Sequence, residues 1–155
     1  MAHTTDLLGR NFTLGITGTR SGMNDSQMCE LQSLMEMIYR ENGVTDFHHG
    51  DCVGVDVEAA RIAQKIGYKT ICHPPIKEDL RAFHESDQIL EAKNHFARNR
   101  DIVDSAHLLI VVPWQDQWQS RGGTWYTHDY AEKTGVDIVV IWPSEEVHKL
   151  IKQGR

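Results

Sequence analysis

Residues 12–22 read "FTLGITGTRSG", an apolar run that breaks at Gly18 into Thr, Arg, Ser and Gly before a helical pattern sets in at Asp25. The run holds no charged residue before Arg20, and the later strand "LLIVV" is apolar throughout, with no alternation. Strands read this way when helices cover both of their faces, which is the condition of a parallel sheet. A strand that passes through a glycine turn into a helix is also the repeating unit of an open α/β sheet.

The same unit recurs down the chain. "DSQMCELQSLMEMIYR" sets Met28, Leu31, Met35 and Ile38 at helical spacing on one face. "VTDFHH" reads as a second strand, "GDCVG" as its turn, and the helix that follows carries Val55, Ala59, Ile62 and Ile66 on its stripe. "YKTICHPP" is a third strand closed by two prolines, and the polar stretch 76–94 is expected to be a partly helical excursion. A helix near "HFARNRDIVDSA", a strand "HLLIVVP", a Trp- and Gln-rich loop, a helix from "GGTWYTHDYAEKTG", a strand "VDIVVIWP" and a last short helix complete the pattern. The expected fold is a single Rossmann-like α/β domain spanning 1–155, with its core at 12–143. Its sheet is open and mainly parallel, with helices on both faces.

Composition narrows the function classes. The longest apolar runs, "LLIVV" and "IVVIW", are strand-sized and far too short to cross a bilayer. The start, "MAHTTDLLGR", lacks the pattern of a secretory signal, so a cytoplasmic location is expected. Cys29, Cys52 and Cys72 are odd in number and form no CxxC pair, which points to reduced, buried thiols, with neither a disulfide framework nor a zinc site. A net charge of −6 weighs against a nucleic-acid partner, because phosphate backbones call for a broad basic face.

In an open α/β sheet the ligand crevice lies at the carboxyl ends of the strands. The loops expected there are "TGTRSG", "HGDCVG", "HPP" and "PWQDQWQSRGGTW". Glycine lets a backbone approach a ligand, and amides at a helix start attract anions. The first loop offers Gly18, Thr19, Arg20, Ser21 and Gly22, and the second offers His49, Gly50 and Gly54. The last offers Arg121, Gly122, Gly123 and Thr124, with Trp125 beside them to stack on a base or close the pocket. These tryptophans equally suit core packing or the interface of a homo-oligomer. On the helix through 95–106, a face defined by Phe96, Ile102, Val103 and Ala106 includes Asn99, is bordered by Arg100 and turns Arg98 toward solvent. Arg100 then meets either an anionic ligand or a structural partner among Asp51, Asp56 and Asp104.

The ordered blocks "GITGTRSG", "HGDCVGVD", "RNRDIVDSA" and "RGGTWYTHDYAEKTG" resemble the SLOG superfamily, named for DNA-processing protein A and the Lonely Guy phosphoribohydrolases. The likeness runs from Leu14 to Pro143 and is greatest to the small stand-alone members seen in phage and bacterial genomes. It implies a Rossmann-like fold that binds nucleotides or nucleotide-derived ligands, with no metal and no other cofactor. In the Lonely Guy enzymes an Arg on the helix before the fourth strand and a Glu in GGxGTxxE serve catalysis. Arg100 or Arg98 matches the former, and helical phase prefers Arg100. The Glu position falls on Thr127, which cannot ionise. The leading expectation is therefore a sensor, carrier or sink for a small nucleotide. An N-glycosidase follows, in which Asp51 with Arg100 would be catalytic and Asp129 and Asp56 are the next carboxylates in line. A single-stranded DNA-binding protein comes third. His128 and Asp129 read as surface residues on a helix.

Overall fold

The computed structural model describes residues 12–43 and 45–144. Six strands, β1 (Thr13–Gly18), β2 (Asp46–His49), β3 (Lys69–Cys72), β4 (Gln88–Ile89), β5 (Leu108–Val112) and β6 (Asp137–Val140), form one sheet in the order β4-β3-β2-β1-β5-β6. Every neighbouring pair is parallel, as the continuously apolar strands led one to expect. The last short helix of the sequence reading falls in 145–155, outside the described residues.

Helices α1 (Asp25–Asn42) and α2 (Val55–Ile66) cover one face, and α3 (His95–Ser105) and α4 (Gly123–Thr134) the other. On the first face Leu31 and Met35 of α1 pack with Leu14, Phe47, Ala59 and Ile110 into one fully buried cluster. On the second, Ile102, Val103, Leu109, Val111 and Ala131 pack together. Each large apolar side chain removed from water contributes about 1.5–3 kcal/mol, so the two clusters clamp the sheet from both sides.

Chain order reverses direction at β1: β2 and β3 build outward on one side, β5 and β6 on the other. The carboxyl ends of β1 and β5 thus flank the gap that such a reversal leaves. Gly18 at the end of β1 pairs with Val112 at the end of β5.

The excursion departs from expectation. Among 76–94 there is no helix, only a turn, bends, β4 and one partner of each of two isolated bridges. Hydrogen bonds to the sheet replace those of a helix: Asp87 accepts from the amide and hydroxyl of Thr70 at 2.8 and 3.1 Å, and Ala82 N donates to Asp51 O at 2.7 Å.

Candidate functional site

At the β1/β5 reversal a cleft of about 960 Å3 opens between the two loops and the starts of α3 and α4. Gly18, Thr19, Arg20, Asn99, Arg121, Gly122, Gly123, Thr124 and Trp125 line it, as do Thr17 and the side chains of Phe96, Tyr126 and Trp114. The sequence reading misses His95, Gln115 and Lys133 on its wall; Asp129, exposed as expected, also lines it. His95 was legible in principle. A helix that leads into a parallel strand begins at the sheet's carboxyl edge, so the first turn of α3 belongs to the site.

What the two loops offer differs. In the first loop Thr19 N donates to Val112 O, Ser21 N to Thr19 Oγ1, Gly22 N to Thr19 O and Met23 N to Glu58 Oε1 at 2.8 Å. Those amides are committed, so the loop presents Arg20 and threonine hydroxyls to the cleft. Ser21 and Gly22 turn toward α2 and solvent and do not line it. At α4 no side chain caps the N-terminus, and the first helical amide bonded back is Tyr126 N, to Gly122 O at 2.9 Å. The amides of Gly123, Thr124 and Trp125 are the open donors of a helix start, where the positive end of the helix dipole also lies. Asn24 caps α1 and Asn94 caps α3, whereas α2, like α4, has no side-chain cap, although its Val55 N donates to Thr19 O.

Of the second loop only Cys52 lines the cleft, and the rest supports the first loop. Gly54 has φ +90°, and a Cβ there would fall 2.5 Å from the backbone of Arg20, so a glycine allows the loops to touch. A Cβ on Gly50 would meet Arg98 Nη1 at 2.6 Å. His49 is fully buried, with Nε2 on Ser86 Oγ at 2.8 Å. His48 pairs with His73 at 2.8 Å and is also buried. Neither histidine of the pair lines the cleft.

Asp51 is a correction. The end of the second strand was expected to open onto the crevice, yet Asp51 is 0% exposed and faces the excursion. Its carboxylate accepts from Arg81 Nε at 2.7 Å and from His84 N at 2.9 Å. With His49 and Cys72 it forms a buried group whose donor atoms lie within 4.8 Å of one another. Arg81 already supplies the cation that such a group attracts, and His49 is engaged by Asp51 N and Ser86. Asp56 instead lines the cleft from the first turn of α2, and its burial pushes the carboxyl up to about 6.

Helical phase chose the wrong arginine. Phe96 is 56% exposed and sits edge-to-face on Tyr126, so it does not define the inward face. Ile102 does, and one helical turn before it stands Arg98, 4% exposed. Arg100 lies outside the cleft lining and donates to Tyr126 Oη at 2.8 Å, and among the described residues no aspartate forms an ion pair with it. The thiols differ from expectation too: Cys72 is buried, Cys52 half-buried on the cleft and Cys29 exposed. Trp125 is buried, its Nε1 on Gln115 Oε1 at 3.1 Å, while Trp114 is 67% exposed on the cleft. Thr127 is buried and bonds back to Gly123 O at 2.8 Å.

No protein-family model and no curated protein matches the sequence. Solved structures do share the fold. The molybdenum cofactor binding protein of Rippkaea orientalis is 20% identical over 93% of this chain and 84% of its own, with a TM-score of 0.64. The molybdenum cofactor carrier protein of Chlamydomonas reinhardtii gives 20%, 93%, 84% and 0.62 for the same measures. DNA processing protein A of Helicobacter pylori, described for its single-stranded DNA binding mode, is 19% identical over 98% of this chain and 78% of its own, with a TM-score of 0.63. At such identities the likeness is one of fold, and the fold is the one that the resemblance to the SLOG superfamily implies.

Proposed function

From a fold shared with cofactor carriers and with DNA processing protein A, we propose that this chain is a SLOG-type protein that binds a small phosphorylated ligand, a nucleotide or a derivative of one. The observation that carries this reading is the uncapped start of α4 at Gly122–Thr124, which lines the cleft with Arg20 and Arg121. Backbone amides and guanidinium groups suit a phosphate, and the aromatic side chains around them suit a planar ring. Acting as sensor, carrier or sink in the cytoplasm, such a protein needs no further chemistry. Among the described residues no helix is long and apolar enough to cross a membrane.

Calorimetry with nucleoside monophosphates and the matching nucleosides tests this reading. The phosphate is expected to tighten binding at least tenfold, about 1.4 kcal/mol. Equal affinity for the two would sink it.

An N-glycosidase is the second reading, favoured by Asp56, a carboxyl on the cleft whose raised proton affinity suits acid or base work. Thr127 at the family's glutamate position opposes it, and release of free base from a nucleoside monophosphate decides it. Single-stranded DNA is the third, favoured by the fold of DNA processing protein A and opposed by the net charge of −6. A nanomolar complex in a gel shift at physiological salt would move it to first place.

A further inference from the structure

Arg98 is almost fully buried beside the cleft, and a guanidinium has five N–H donors. All five are engaged. Nε donates to Asn99 Oδ1 at 2.7 Å; Nη1 donates to the carbonyls of Gly50 and His73, the latter at 3.1 Å. Nη2 meets His95 Nδ1 at 2.9 Å and Cys52 Sγ at 3.7 Å. No carboxylate of the described residues forms an ion pair with it. Arg98 therefore has no donor left for a ligand, although it lines the cleft.

Its bonds still dictate what its neighbours can do. An arginine only donates, so His95 Nδ1 must accept, which leaves the proton of the neutral ring on Nε2. Likewise Asn99 Oδ1 must accept, which turns the amide so that its NH2 group points away. That group lies beside the open start of α4: a Cβ on Gly123 would stand 4.0 Å from Asn99 Nδ2. His95 is exposed, at the first position of α3, on the same wall. Both side chains thus present donors and no acceptor.

We propose that Arg98 is a positioning residue which does not touch the ligand, and that His95 Nε2–H and Asn99 Nδ2–H2, whose polarity it fixes, are the side-chain donors for the ligand's phosphate oxygens. This rests on the phosphate reading above and adds to it two binding residues and the reason for their orientation. Such a pair of donors rewards an oxyanion and offers a hydroxyl hydrogen no partner.

The orientation is tested without any ligand. Long-range proton–nitrogen spectra of histidine-labelled protein are expected to show His95 as the Nε2–H tautomer, and Arg98→Gln to give a mixture of both. A wild-type His95 protonated on Nδ1 overturns the proposal. Calorimetry with adenosine 5′-monophosphate tests the rest. Asn99→Asp exchanges a donor for an acceptor at a half-buried position and is expected to weaken binding tenfold or more. Arg98→Lys keeps the charge and loses the fork; it is expected to scramble the tautomer and weaken binding alike. If wild type prefers the monophosphate to adenosine while both variants bind it as well as wild type, the proposal fails and the phosphate reading stands. If wild type binds adenosine and its monophosphate equally, the phosphate reading fails and this assignment with it.

Discussion

Asp51 adopts a left-handed backbone, φ 59°, which aspartate tolerates better than most residues because its short side chain can bond locally. Every polar group of the residue is engaged. Its amide donates to His49 Nδ1, its carbonyl accepts from Ala82, and its carboxylate holds Arg81 and the amide of His84. One residue thus fastens the excursion to the end of β2. Asp51→Ala leaves Arg81 without its buried partner and is expected to cost on the order of 3 kcal/mol. Chemical denaturation checks that, and because Asp51 lies outside the cleft, nucleotide affinity should stay within about twofold of wild type once folding is confirmed. A large loss of affinity in a folded Asp51→Ala protein would show that the excursion shapes the cleft from behind.

Among the elements, α3 joins stability to the site. Asn94 caps it, its Oδ1 accepting from Ala97 N at 2.9 Å, and the next residue is His95. Asn94→Ala is expected to cost about 1 kcal/mol. Fraying of the first turn should also free the His95 ring, so loss of stability and loss of the Nε2–H tautomer are expected together; spectra taken alongside denaturation would show either one without the other. The phase of α3 was also where sequence reading faltered. With Phe96 taken as a core residue, the inward face rotates toward Arg100; with Ile102 alone as the anchor, it falls on Arg98. An aromatic side chain on a ligand wall looks in sequence like one in a core. Helix α1 and strand β5 held no such ambiguity, because Leu31, Met35 and Ile38 repeat at helical spacing and "LLIVV" has no polar residue. The excursion was illegible for another reason: its structure depends on Asp51 and Thr70, which lie far back in the chain, and no local pattern announces such partners.

For the whole molecule, buried histidines set the response to acid. Burial pulls His48 and His73 down to about 4 and His49 to about 3. In the unfolded chain each titrates near 6.5, so between roughly pH 4 and 6.5 that state binds three protons which the folded state refuses. Stability is therefore lost as pH falls through this window. Asp56 acts the other way, since burial raises it to about 6 in the fold from an ordinary 3.8. Three buried histidines, joined by His84 and His95, which burial also pulls down, oppose one carboxyl, and the midpoint of thermal unfolding is expected to drop between about pH 7 and about pH 4.5. A flat profile would show that the fold accommodates charged histidines. The strand order carries a different implication, for synthesis. β1 has two partners, β2 close behind it in the chain and β5 almost a hundred residues on, as the pairing of Leu14 with Leu108 records. A nascent chain on the ribosome can assemble β1, β2 and β3 under α1 and α2 while the other edge of β1 stays bare. Until β5 emerges, that edge is a template for any extended neighbour, and the interval is when a chaperone would have most to protect.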